Sequence, residues 1–219
     1  MNGFYPIMLK LRGERVVVAG GGRIAERKVE ALLEAGADGI VVVSPSLTPR
    51  LEKLASEGVI GVICRAYQVG DAENARLLFV ATDDEAANDE IAEDGRRWGA
   101  LIGLAGDGGS GDFASAAAFR RGDLVIAVSA SGASPALAAR IKRELERSFG
   151  PKYEDSTSKL KELRALAKAN VLDRSEREAL LRLAAEEAPH HPEEEDASAW
   201  LKRLRSTLIT GGKYNDNSK

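Results

Sequence analysis

Short β-branched runs alternate with longer amphipathic ones through the first half of the chain. VVVA after Arg15 gives way to a helical pattern from Arg23 to Ala35, then to IVVVS, a second helical pattern and VIGVIC. LLFVATD at 77–83 follows, then a charged helical stretch through Trp98 and the run ALIGLA at 100–105. Strands that are apolar at nearly every position have both faces covered, and their regular alternation with helices predicts β-α-β units closing a parallel sheet. Residues 1–112 are therefore expected to form a doubly wound α/β domain.

The pattern changes after that point. An alanine-rich segment, RRGD at 120–123 and the strand-like LVIAVSA lead into SGASPALAARIKRELERSFG. Ser134 before Pro135 reads as an N-cap with proline at the first helical position, and Gly150-Pro151 as a stop. One strand and one helix do not enclose a core, so residues 113–150 are expected to pack on a second copy of the chain or on the first domain, and the former, a dimerisation segment, is the favoured reading. Residues 151–219 read as a small helical C-terminal domain with Leu160, Leu163 and Val171 on its first helix. Ser175 to Glu178 reads as a capping box ahead of Leu180, Leu181 and Leu183. The acidic run Glu193 to Asp196 reads as the start of a last helix bearing Trp200, Leu201, Leu204 and Leu208, favoured there by the helix dipole. No metal site is assigned to that run.

Composition adds limits. The 219 residues are 44% hydrophobic and 30% charged, and the formal charge is only −3. No global positive field draws nucleic acid or an anionic membrane, so an anionic ligand must be met by local groups. Cys64 is the single cysteine and lies in an apolar run, where it is expected to be buried. A chain with one cysteine builds no internal disulfide framework, which suits a reducing compartment and a cytoplasmic location. The start, MNGFYPIMLKLRGERVVVAGG, lacks the charged n-region and cleavage site of a signal peptide, and no apolar run approaches the roughly 20 residues of a membrane span.

Four stretches carry candidate chemistry. Gly20, Gly22 and Ala25 complete G-x-G-x-x-A between a predicted strand and a helix, the Rossmann-like context in which backbone approaches a pyrophosphate at a helix N-terminus. No acid follows the second strand, where one would bind the adenosine ribose. VVVSPSLTP offers Ser44 and Ser46, which leaves the choice between the two nicotinamide cofactors open. ATDD ends the fourth strand and places Ala81 and Thr82 as candidates beside the nicotinamide, while Asp83 and Asp84 read as caps of the next helix. Finally AGDGGSGDF, 105–113, follows an apolar strand at the same edge, and reads as an active-site loop whose glycines permit close approach to a flat ligand. His190 and His191, between two prolines, read as a solvated loop.

YPIMLKLRGERVVVAGGGRIAERKVEALLEAGA, VVVSP, ATDD, GDF, RRGDL and SASGASPALAARI, in this order and at these distances, resemble the precorrin-2 dehydrogenase family, the dehydrogenase and ferrochelatase module of siroheme synthases. The resemblance covers residues 5 to about 150. It implies an N-terminal nucleotide-binding domain, a dimerisation segment and a helical domain. It also implies NAD-dependent oxidation of precorrin-2 to sirohydrochlorin, joined in some members by ferrous iron insertion. By likeness Gly22, Arg23 and Ile24 fall at the cofactor's phosphates, Ser44 and Pro45 at its ribose, and Thr82 near the ring. The chain is too short to include the methyltransferase that some siroheme synthases carry.

Two departures bear on catalysis. The family pattern before the Asp-Phe pair reads Asn-Val-x-Asp, with its Asp assigned to dehydrogenation and chelation. This chain has Gly103 and Gly106 at those positions and an acid one residue later, Asp107. Ala130 stands where many relatives carry a hydroxyl after Ser129. Hydride transfer needs orientation and one base, so Asp107 is the candidate. The substrate's carboxylates call for positive groups, and the helix N-terminus at Ser134 with Arg120 and Arg121 is the candidate set. Dehydrogenation without efficient iron insertion is the leading expectation. A bifunctional enzyme, and a non-catalytic dinucleotide- or tetrapyrrole-binding sensor or carrier, are the alternatives.

Overall fold

The structure is a computed structural model that describes residues 4–105, 111–190 and 195–212. Its contacts divide the chain into two compact units, Met1–Ser115 with Ser131–Ala133, and Ala116–Ala130 with Ser134–Lys219.

The first unit is a five-stranded sheet in the order β3-β2-β1-β4-β5, built from β1 (Arg15–Ala19), β2 (Gly39–Val43), β3 (Gly61–Ile63), β4 (Leu77–Val80) and β5 (Leu101–Leu104). Every pairing is parallel. Three helices connect the strands: α1 (Arg23–Glu34), α2 (Pro49–Ser56) and α3 (Glu85–Arg97). The two-residue period of the strands divides the core. Val16 and Val18 face one layer with Val29, Leu32 and Leu51, whereas Val17 and Ala19 face another with Ile91 and Ala92. Val16, Val17, Val18 and Ala19 of β1 are fully buried, each valine contributing about 1.5–3 kcal/mol of hydrophobic stabilisation. This two-sided burial is why the strands read as continuous apolar runs, and the architecture is the doubly wound, Rossmann-like one expected. From β1 the chain winds outward to β3, then returns to β4 on the other side of β1, opening a crevice at the carboxyl ends of β1 and β4.

Cys64 corrects one expectation: it is exposed. β3 is a three-residue edge strand, and Cys64 lies one residue past its end, so the apolar run outlasts the element that would have buried it.

In the second unit β6 (Ala117–Arg121) and β7 (Leu124–Val128) form an antiparallel hairpin, where the sequence had suggested a single strand. Gly122 turns it at φ +55°, as the first position of a type II′ turn requires. Helix α4 (Pro135–Ser148) packs on both strands and carries the expected cap, Leu137 N donating to Ser134 Oγ at 3.1 Å. Helices α5 (Lys152–Asn170), α6 (Arg174–Glu187) and α7 (Ala197–Gly212) enclose Leu163, Leu180, Trp200 and Leu204. The cap of α6 is Asp173, whose Oδ1 lies 2.6 Å from Glu176 N, and Ser175 falls inside the first turn. A carboxylate accepts that bond and meets the positive helix end at once, which a hydroxyl does not. At α7, Asp196 accepts from Ser198 N and Ala199 N, as the acidic run suggested.

Candidate active site

A cavity of about 570 Å³ occupies the crevice, lined by Gly20–Gly22, Val43–Thr48 and Ala81–Asp84 together with residues of the 66–69 loop and of α3. Three hydrogen bonds set its floor: Gly20 N to Val43 O, Ala81 N to Ala19 O, and Thr48 N to Gly21 O, at 2.8–3.0 Å. The glycines serve different ends. A Cβ on Gly20 would lie 2.3 Å from Ala81 O, and one on Gly21 2.0 Å from Ser46 O, so these two permit the strands and turn to close together. Gly22 has an ordinary backbone at φ −82° and nothing within 4 Å of its Cβ position. The space beside it belongs to the cavity, at the start of α1, which no side chain of the described residues caps. Backbone N–H groups there are free to receive an anion. This cradle, open where a Cβ would fill it, fits the pyrophosphate of a dinucleotide.

Ser44 is almost wholly buried, and its hydroxyl donates to Ser46 O at 2.7 Å, which fixes the Ser-Pro-Ser turn. Ser44 and Pro45 both line the cavity at the end of β2. Thr82 lines it at the end of β4, donating to Asn88 Oδ1 at 2.6 Å while Asn88 Nδ2 donates to Thr82 O at 3.2 Å. The threonine is thereby clamped to α3. Asp84 caps α3, accepting from Ala87 N at 3.1 Å. Gly20, Gly22, Ser44, Pro45 and Thr82 are thus brought together around one cavity. Arg23 and Ile24 follow in the first turn of α1, both exposed, just beyond the lining.

Arg120, Arg121 and Ser134 lie in the second unit. Arg120 is exposed at the end of β6. Arg121 stands 5.4 Å from the Phe119 ring centroid and 3.9 Å from Glu146, so its charge already has a partner on α4. The Ser134 hydroxyl accepts the α4 cap bond.

Asp107 and Gly106 lie outside the described residues, as does His191. Both flanks of that stretch are fixed to the sheet, Ala105 to β4 and Asp112 to β5. Ala105 N donates to Val80 O at 2.9 Å; Asp112 N donates to Ile102 O at 2.8 Å, and Asp112 Oδ2 accepts from Ile102 N at 2.9 Å. Asp112 therefore fastens the returning chain to the sheet. Phe113 packs edge-on to Phe79, centroids 5.1 Å apart, and its ring lies 2.6 Å from where a Gly103 Cβ would be. The glycine at that position makes room for the ring. Beside it Lys28 donates to Ser115 Oγ at 2.8 Å and lies 5.5 Å from the Phe79 centroid; burial first, then Arg27, pulls its pKa down.

Sequence reasoning missed the cavity wall formed by Ala66, Tyr67 and Val69 with Ala87, Glu90 and Ile91 of α3. The 64–76 stretch has no periodicity to announce it, although a lone tyrosine shortly after an edge strand is a usable signal.

Comparison with known proteins follows the same division. Residues 7–117 match a family model described as putative NAD(P)-binding, and residues 121–148 one described as the central part of a sirohaem biosynthesis protein. A precorrin-2 dehydrogenase of Priestia megaterium is 33% identical over 177 residues, 81% of this chain and 87% of the relative. The chain belongs to this precorrin-2 dehydrogenase family. A siroheme synthase of Chromobacterium violaceum is 38% identical over 143 residues, and the chain spans only 30% of that longer protein. Among solved structures, SirC, a precorrin-2 dehydrogenase, superposes with a TM-score of 0.75 at 29% identity, covering 93% of this chain and 100% of that one. The family resemblance therefore extends into the helical region, beyond the residues whose motifs carried it in the sequence.

Proposed function

We infer that this chain oxidises precorrin-2 to sirohydrochlorin with NAD, in siroheme synthesis. The observation that carries the cofactor half is the glycine cradle, open into the cavity at Gly22 and flanked by Ser44, Pro45 and Thr82. The substrate half rests on the Priestia megaterium relative, which this chain matches over most of both lengths. NAD, when bound, accepts a hydride from the reduced macrocycle, and a proton leaves the same substrate to a base. The chain's own share is to hold and orient. Gly22 and the N-terminus of α1, with Arg23 and Ile24 beside them, receive the pyrophosphate; Ser44 and Pro45 border the ribose; Thr82, clamped by Asn88, borders the ring.

Asp107 is the proposed base. Its supports are the acid one residue removed from the family position and the attachment of the flanking residues Ala105 and Asp112 to β4 and β5, beside the end of the strand that leads to Thr82. Arg120, Arg121 and the α4 N-terminus at Ser134 are proposed to receive substrate carboxylates. An acid displaced by one residue disturbs a chelation geometry more than a hydride transfer, so iron insertion is proposed to be inefficient. The protein is proposed to act in the cytoplasm as a homodimer, with residues 1–112 as the NAD-binding domain, 113–150 as the dimerisation segment and 151–219 as the helical domain.

Anaerobic turnover of the wild type, Asp107→Ala and Asp112→Ala tests the assignment. Asp107→Ala is expected to lose about 10²- to 10⁴-fold in turnover with NAD binding intact, the range of a positioned base. Full activity in that variant removes Asp107 from the mechanism. Ferrous iron supplied with sirohydrochlorin tests the second activity, and insertion at a rate matching dehydrogenation overturns the monofunctional reading.

A further inference from the structure

Helix α1 sorts its charges by side. Glu26 and Glu30, one turn apart, face α2: Glu26 accepts from the Thr48 hydroxyl, and Glu30 pairs with Arg50 at 3.2 Å. The other flank carries Ile24, Arg27 and Lys28, whose i, i+3, i+4 spacing gathers them on one face. Ile24 is 41% exposed although its side chain is large and apolar, and Arg27 is exposed. Lys28 is half-buried. Its ammonium donates to Ser115 Oγ at 2.8 Å and lies 5.5 Å from the centroid of Phe79, the ring that Phe113 meets edge-on. Neither Arg27 nor Lys28 has a carboxylate partner among the described residues.

A lysine drawn partly out of water without a counter-ion is a costly way to brace a helix. A neutral donor would reach Ser115 as well, and a methionine would cover Phe79 at lower cost. Burial first and Arg27 second pull the Lys28 pKa down, and an incoming carboxylate offsets both. Ser115 takes one of the ammonium's donors and leaves the others free. The exposed surface is therefore an apolar side chain between two cations, which suits a flat apolar ring with carboxylates on its rim. Its place in the fold agrees. Lys28 rests on Phe79 of β4, the strand that leads to Thr82, where the hydride acceptor is proposed to lie.

Resting on the dehydrogenase reading above, we propose that the face of α1 formed by Ile24, Arg27 and Lys28 receives one edge of the tetrapyrrole substrate, the two cations each taking a carboxylate of its rim and Ile24 lying against the ring. Lys28 is the leading contact, because Ser115 and Phe79 fix its head before the substrate arrives. The face belongs wholly to the first unit and stands apart from the cofactor cavity, whose lining includes none of the three residues.

The test is anaerobic titration with sirohydrochlorin, since the oxidation leaves the carboxylates of the rim in place. Its absorbance is followed with wild type, Lys28→Met, Lys28→Arg and Ser115→Ala, and the KM for precorrin-2 and the affinity for NAD are read in parallel. Lys28→Met is expected to bind sirohydrochlorin about tenfold more weakly and to raise KM by a similar factor, the loss of roughly one charge-assisted hydrogen bond, with NAD affinity unchanged. Lys28→Arg keeps the charge and is expected to recover most of the affinity, and added salt to weaken wild type more than Lys28→Met. Ser115→Ala releases the tether but keeps the ammonium, and is expected to bind more tightly than Lys28→Met. Should Lys28→Met fail to fold, Arg27→Met carries the measurement. Wild-type affinity in folded Lys28→Met, or in Arg27→Met where it stands in, overturns the proposal. Equal losses in Ser115→Ala and Lys28→Met overturn it too, because the lysine is then only a strut. A wild type that binds NAD yet neither binds sirohydrochlorin nor oxidises precorrin-2 sinks the dehydrogenase reading itself, which separates the two failures.

Discussion

Gly22 is the residue at which sequence and geometry make the sharpest joint demand. Its neighbours Gly20 and Gly21 are glycine because backbone oxygens sit within 2.3 Å of any added Cβ, whereas Gly22 meets no protein atom at all. A side chain there is compatible with the fold and incompatible with a ligand. Gly22→Leu is expected to leave the melting temperature within a degree or two of wild type, an effect of about 0.5 kcal/mol or less, and to abolish NAD binding by calorimetry. Unchanged affinity in the folded variant would show that the cradle is an ordinary turn. Asp71 supplies a second test at this scale. The Arg65 guanidinium holds its carboxyl below the usual carboxylate range, helped by Gln68 N–H and opposed by burial. Its folded pKa lies below its unfolded value, so the unfolded chain binds more protons between the two. The contribution is therefore complete above the unfolded pKa of about 4 and is lost as pH falls through the folded one. Thermal melts from pH 7 down to pH 3 are expected to show a shallower acid loss for Asp71→Asn than for wild type; identical slopes would detach the Arg65 pair from acid stability.

At the level of elements, the strands of the first unit were legible because two-sided burial writes itself as unbroken apolar runs: Val16–Ala19 and Leu77–Val80 leave no polar position to misread. The helix caps were legible wherever a cap residue stood alone, as at Ser134. They were ambiguous at α6, where Asp173 and Ser175 compete within three residues and the carboxylate prevails. β6 was hidden by its own composition: AAFRR has one buried residue, Phe119, and alanine and arginine carry little strand preference. Cys64 was misjudged because an apolar run was equated with an element, and the element ended first. The hydrogen bond from the Tyr67 hydroxyl to Asp94 joins residues 27 apart in the chain, one of them in an aperiodic loop, so no local pattern announces it. Of the residues that line the cavity, the glycines and the strand-end positions Ser44 and Thr82 could be read from sequence, because a doubly wound sheet fixes where its strands open outward. The α3 side of the cavity could not, since its residues look like any amphipathic helix.

Across the whole molecule, the segment 113–150 carries its apolar side chains poorly covered within one chain. Only Phe119 and Ala138 are buried there, and Leu137 is 48% exposed near the start of α4. A second copy of the chain is the proposed cover, through an interface of the usual 1,200–2,000 Å² or so. Light scattering at micromolar concentration is expected to give a dimer mass for the wild type and a monomer for Leu137→Asp; a wild-type monomer refutes the assembly. The central claim concerns the reaction, and it joins the cradle of the first unit to the identity of the relatives. No helix among the described residues is long and apolar enough to cross a membrane. Protein, NAD and precorrin-2 are mixed without oxygen, and the absorbance of reduced nicotinamide is followed beside that of the macrocycle. The account predicts reduced nicotinamide and sirohydrochlorin appearing together, one for one, with wild type and not with Gly22→Leu. NAD binding without any reduced nicotinamide from precorrin-2 would contradict it and leave a binding protein in place of a dehydrogenase.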